Sequence, residues 1–156
     1  MTLLLEYRAA RRAEDVARLR RVLTLRAILS TGTTQRQLAA TAGISQPAIS
    51  QQLKSAPGRD ADPIALVDAG GAILRQVAEE RGFTDLAVFG SVARRDAHFD
   101  SDIDLLVRPP EGTTISGLVE LQQLFEAILD RPVDLVTYGG LKPGIDDDIL
   151  REAVLL

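Results

Sequence analysis

GSVARRDAHFDSDID, residues 90–104, decides how the rest of the chain is read. Three carboxylates, Asp100, Asp102 and Asp104, fall within five residues of it. Like charges so close repel one another unless a cation or a proton offsets them, so the stretch asks for a ligand. It joins two strand-like runs: LAVFG (86–90) ends at the Gly-Ser pair, and DIDLLV (102–107) alternates before running apolar toward Pro109-Pro110. Two residues apart on a strand, Asp102 and Asp104 face the same side of a sheet, and such hard oxygen donors suit Mg²⁺. Gly90 lets the backbone come close to a ligand, and the amides of the following turn with the Ser91 hydroxyl would hold phosphate oxygens.

A third strand-like run, PVDLVTY (132–138), is apolar except for Asp134. If it lies beside the second, Asp134 completes a three-carboxylate cluster able to hold two metals for an in-line phosphoryl displacement. Asp-x-Asp alone is a weak signal, shared by surface turns and structural calcium sites. Its weight comes from the Gly-Ser pair, with ten residues between Ser91 and Asp102, and from Asp134 downstream. Asp96 and Asp100 read as loop charges, Asp146 to Asp148 as a solvated helix start, and Ser101 as a turn cap. The lone histidine, His98, reads as a solvated loop residue.

Helical periodicity surrounds these strands. SGLVELQQLFEAILD (116–130) puts Leu118, Leu121, Leu124, Phe125 and Ile128 on one stripe. Residues 63–81 also read as a helix, weakened by Gly70-Gly71 in its middle. The tail, 145–156, reads as a last helix, acidic at its N-terminal end. SAPGRDADP (55–63) collects Pro, Gly, Asp and Ser and marks the boundary. The expected division is therefore a first domain over 1–56, a linker over 57–63 and a second domain over 64–156.

Within the first part, residues 9–29 form an amphipathic helix with Val16, Leu19, Leu23 and Ala27 on its apolar side and arginines between them. QRQLAATAGISQPAISQQLK (35–54) then gives two short helices hinged at Gly43, which can take the positive φ of a tight turn. Ala39 sits at the close crossing, Ile44, Ile49 and Leu53 supply buried contacts, Ser45 is a good N-cap and Pro47 fits a first turn.

Charge divides along the same line. Residues 1–60 carry ten Lys/Arg against four Asp/Glu, and residues 61–156 carry eight against eighteen. A basic part suits a polyanion and an acidic part suits cations. With 156 residues, 46% hydrophobic, 26% charged, no cysteine and no long apolar run, the chain reads as soluble, without a signal peptide or membrane segment. Cysteine usage fits a cytoplasmic protein and excludes disulfides and thiolate metal sites. One histidine leaves little material for a histidine-built zinc site or a Ser-His-Asp arrangement.

The 35–54 stretch resembles the helix-turn-helix of the phage repressor and Cro class. That resemblance lays the helix 45–54 in a DNA major groove, with Gln46, Ser50 and Gln51 reaching base edges and Ser45 also among the DNA-binding residues. Arg36, Lys54 and the arginines of the first helix would contact phosphates. One such module reads few base pairs, so a homodimer on a two-fold operator is expected; the bland reading of the same pattern is a packing hairpin.

GSVARRDAHFDSDIDLLV with VDLVTY resembles the nucleotidyltransferase superfamily that includes DNA polymerase beta. It is especially similar to the minimal nucleotidyltransferases often paired with HEPN-domain ribonuclease toxins. The resemblance implies an α+β protein, with an N-terminal all-α domain and a C-terminal nucleotidyltransferase domain built on a small mixed sheet. It implies that Gly90 and Ser91 bind the triphosphate of ATP, and that Asp102, Asp104 and Asp134 hold two Mg²⁺ ions. Asp134 would also help activate the attacking hydroxyl. Arg94 would offset phosphate charge. Arg95 stands where the family usually has glycine, and would alter the loop or add a phosphate contact. Biologically, the resemblance implies an antitoxin that moves AMP from ATP to a tyrosine of a HEPN-type toxin and represses its own operon. The rivals are an inactive fold that neutralises the toxin by stoichiometric binding, and a transferase acting on a small antibiotic.

Overall fold

The computed structural model describes residues 1–57 and 60–156; Gly58 and Arg59, inside the expected linker, lie outside the described residues. The fold is α+β, a helical N-terminal region followed by a small mixed sheet packed against helices.

Helix α1 runs over Thr2–Ser30, well beyond the 9–29 expected. Its first half is exposed, Val16 included at 47% exposure, so the apolar stripe that packs begins only at Leu19. From there the helix serves two cores. Leu23 and Ala27 join the large core beneath the sheet, while Leu25, with Ile28 and Leu29, packs on Leu38 and Ile49 of the next two helices.

Those two helices are α2 (Gln35–Ala42) and α3 (Gln46–Lys54). Thr34 and Gln37 close a capping box at the start of α2, and Ser45 Oγ accepts the Ala48 amide at 3.2 Å to start α3. Gly43 between them has φ +69°, the left-handed turn expected there. Ile49 is fully buried and Leu53 partly so, but Ile44, expected in this small core, is 40% exposed. It sits in the turn between the two helices.

Helix α4 (Pro63–Glu79) begins on Asp62, whose carboxylate accepts the Ile64 amide at 3.0 Å. Its internal Gly70 has a packing reason. A Cβ there would meet Leu23 Cδ1 at 2.8 Å, so the missing side chain is what lets α1 lie close against α4. Next come β1 (Thr84–Phe89), the short α5 (Gly90–Arg94), β2 (Ile103–Arg108), α6 (Ile115–Leu129) and β3 (Val133–Thr137).

The tail differs from expectation. Only Asp147–Glu152 is helical (α7), and Val154–Leu155 turns into a fourth strand, β4, antiparallel to β1. The sheet order is β3-β2-β1-β4, with β2 and β3 parallel and the other neighbours antiparallel. Strand alternation then sorts the side chains. Ile103, Leu105, Val107 and Val133 point into the large core with Leu121, Phe125 and Ile128 of α6 and Leu66 and Leu74 of α4. Leu106, Ala87 and Phe89 point the other way, under Val136, Tyr138, Ile149 and Ala153. That second face is thinly covered, and the carboxylates lie on it. Among the described residues no helix is long and apolar enough to cross a membrane.

Candidate active site

Asp104 lies on β2 between buried Ile103 and Leu105, so alternation sends its carboxylate to the thinly covered face. Parallel pairing of β2 and β3 sets Asp134 directly opposite it, in a register running Ile103 to Val133, Asp104 to Asp134 and Leu105 to Leu135. Asp102 precedes β2 by one residue and is exposed, as is Asp134, whereas Asp104 is half-buried. Burial pushes the Asp104 carboxyl above the ordinary carboxylate range; the negative charge of Asp134, then of Asp102, pushes it further, while Arg94 opposes.

The turn before this cluster is shaped around Asp104. Phe89 at the end of β1 pairs with Asp104, and Gly90 follows with φ +70°. A Cβ on Gly90 would fall 2.2 Å from Asp104 Oδ2. Only glycine leaves space for that carboxylate oxygen. Ser91 opens the first turn of α5 and is half-buried.

Arg94 and Arg95 have separate partners. Arg94 Nη1 donates to Glu152 Oε2 at 3.0 Å and its Nε to Asp96 Oδ2 at 3.4 Å; Glu152 first, then Asp96, raise its pKa. Arg95 adopts φ +60°, the left-handed conformation that explains why glycine is usual there. Its guanidinium forms a two-pronged pair with Asp68 of α4, at 2.9 and 3.3 Å. That pairing turns Arg95 toward Asp68 of α4.

Sequence reasoning missed two residues. Glu152 of α7 accepts the Gly90 amide through Oε1 at 3.0 Å as well as holding Arg94, so one of the amides expected to meet phosphate is already bonded. No motif pointed to it, because it comes from the tail read as plain helix. The other is Arg131, only 6% exposed, which donates to the carbonyls of Phe99, Ser101 at 3.0 Å and Ala61 at 2.6 Å. It ties down the loop that delivers Asp102 and Asp104. Ser101 Oγ meanwhile accepts the His98 amide at 2.9 Å, the turn cap anticipated.

The acidic set fits divalent cations on two observations. Asp104 is crowded by like charge that a cation would offset, and bare Gly90 keeps open the space beside its oxygen. Among the described residues no three acidic or histidine side chains converge as a ready-made cage, so phosphate oxygens would have to complete the ligand shell.

In the helical region, Arg36, Ser45, Gln46, Gln51 and Lys54 are all exposed, on α2, on α3 and at its N-cap. Ser50 is half-buried.

A mixed sheet with opposed aspartates on neighbouring parallel strands, beside a Gly-Ser turn, defines a nucleotidyltransferase fold and site. The sequence model of the nucleotidyltransferase domain family matches residues 72–156, and the chain belongs to that family. Protein adenylyltransferase MntA of Thermococcus cleftensis is 40% identical over 80 residues, 51% of this chain and 81% of that protein. A Methanocaldococcus jannaschii protein provisionally named a protein adenylyltransferase is 40% identical over 75 residues, covering 48% of this chain and 81% of its own. A solved structure provisionally named a minimal nucleotidyltransferase superposes with a TM-score of 0.55 at 36% identity, over 60% of this chain and 95% of its own.

Proposed function

We propose that the chain is an antitoxin whose C-terminal domain transfers AMP from ATP to a tyrosine of a HEPN-type ribonuclease toxin. In this reading the N-terminal helices bind operator DNA as a homodimer and repress the operon. The observation that carries the enzymatic half is the opposition of Asp104 and Asp134 beside Gly90. Relatives named protein adenylyltransferases support AMP as the group moved and protein as the acceptor.

Asp102, Asp104 and Asp134 would hold Mg²⁺, which supplies positive charge to the phosphates as bonding changes. Ser91 and Arg94 orient the triphosphate so that its α-phosphorus faces the acceptor. The acceptor oxygen forms a bond to that phosphorus, the bond to the pyrophosphate oxygen breaks, and pyrophosphate leaves with the electron pair. Asp134, exposed at the edge of the cluster, takes the hydroxyl proton. The DNA-binding half is supported by the exposed polar face of α3 and the basic balance of residues 1–60.

Incubation with α-labelled ATP, Mg²⁺ and the HEPN partner tests the reading. Label on the toxin with wild type, and none with Asp104→Ala that still binds the toxin, is expected. Full neutralisation by Asp104→Ala would instead make the protein a stoichiometric inhibitor.

A further inference from the structure

We propose that Glu152 is a positioning residue for the nucleotide, acting through Arg94. The inference rests on the nucleotidyltransferase reading of the site and concerns a residue outside its motifs. One carboxylate makes two bonds of matching length: Oε1 accepts the Gly90 amide at 3.0 Å and Oε2 accepts Arg94 Nη1 at 3.0 Å. It therefore joins the turn that makes room for Asp104 to the arginine whose charge acts on Asp104. An arginine side chain left in water samples many rotamers, and fixing it before ligand arrives removes that entropy from the binding step.

Glu152 is itself held firmly. Its side chain is 24% exposed, against 50% for Arg94. On one side of it, Ile149 and Ala153 pack on the second sheet face. On the other, β4 pairs with β1, the Leu156 amide donates to Leu86 O at 3.0 Å, and Arg75 reaches Leu156 O at 3.2 Å. The Leu156 side chain meanwhile lies against the bare Cα of Gly71, where a Cβ would be 3.4 Å away. The tail strand thus fixes the carboxylate from which Arg94 hangs.

Glu152→Gln separates the two bonds. The amide oxygen still accepts from Gly90, but the amide nitrogen presents donors to a guanidinium that can only donate. The turn stays, and Arg94 loses its Glu152 partner while keeping the longer 3.4 Å contact to Asp96. The experiment measures ATP affinity with Mg²⁺ by titration calorimetry on the full chain, for wild type, Glu152→Gln, Arg94→Ala and the double variant, with thermal melts alongside. Glu152→Gln is expected to weaken ATP binding about tenfold, the scale of one charge-assisted contact, with an unchanged melting midpoint. Added to Arg94→Ala, it should weaken binding no further, because its effect runs through that arginine. Unchanged affinity in Glu152→Gln, additive losses in the double variant, or tighter binding, which would make Glu152 a plug competing with phosphate, each overturns the proposal while leaving the transferase reading intact. Wild type that binds no ATP overturns both.

Discussion

Asp104 and Asp134 stand opposite each other in the parallel β2–β3 ladder, both on the sheet face opposite α4 and α6. Backbone hydrogen bonds therefore hold two like charges together, and burial already disfavours ionising Asp104. A carboxyl whose pKa is raised by folding binds its proton more tightly in the native state. Its contribution to stability is present below the ordinary carboxylate pKa and is lost as pH rises through that value to the raised one. Without metal, wild type near neutral pH should thus be less stable than Asp104→Asn. Mg²⁺ held as proposed should reverse the order by offsetting the charge. Thermal melts with and without Mg²⁺ check this: the cation should raise the midpoint of wild type and leave Asp104→Asn unmoved, while the variant loses AMP transfer.

Gly90→Ala tests the same pocket from its other wall. The new methyl would stand 2.2 Å from Asp104 Oδ2, and alanine at φ +70° adds a left-handed backbone cost of about 1 kcal/mol. The carboxylate is the part that can move. If Asp104 holds metal as proposed, displacing it by about 1 Å should lower transfer on the order of 10²-fold. A folded far-ultraviolet spectrum with wild-type rates would show that Asp104 does not need the space.

The site was legible where its chemistry is local. Alternation along DIDLLV put Asp102 and Asp104 on one face, and the lone acid in PVDLV marked Asp134 before any pairing was known. Glu152 was not legible, since its role depends on β4 closing on β1, a pairing of two residues more than sixty positions away. Two residues are too few for strand alternation to register. Gly70 counted against a helix for the same reason: its value lies in Leu23, forty-seven positions earlier, which needs the close approach. Ile44 was expected among the buried contacts of the helix-turn-helix pattern, but it is 40% exposed and outside the small core of Leu25, Leu38 and Ile49.

Arg131 is the structural counterpart of these acids. Its buried guanidinium serves three carbonyls from two segments, Ala61 in one and Phe99 and Ser101 in the other. Arg131→Met fills much of the volume and supplies no donors. Leaving buried carbonyls unsatisfied costs about 1–3 kcal/mol each where water cannot reach them, so denaturant unfolding should show a loss of about 2–4 kcal/mol. Hydrogen exchange in 99–102 should rise with it. A variant as stable as wild type would mean that water replaces the arginine.

Arg95→Gly distinguishes the two uses of that arginine. Paired with Asp68 and held at φ +60°, Arg95 faces α4, so glycine should relieve the backbone and leave the Michaelis constant for ATP unchanged. A raised constant, with kcat preserved, would instead assign Arg95 to the phosphates.

The proposed DNA contact separates reading from holding on the exposed face of α3. Gln51 offers a donor and an acceptor suited to an adenine edge, and Lys54 at the end of the helix offers only charge. Gln51→Ala should cost about 1–3 kcal/mol at one base pair and nothing on unrelated sequence. Lys54→Ala should weaken all sequences alike and lower the slope of log K against log salt by about 1. Anisotropy titrations on the operator and on scrambled duplex, each at several salt concentrations, measure both quantities. Equal affinity for the two duplexes in wild type would reduce α2 and α3 to a packing unit, with the basic charge of residues 1–60 only solvating it.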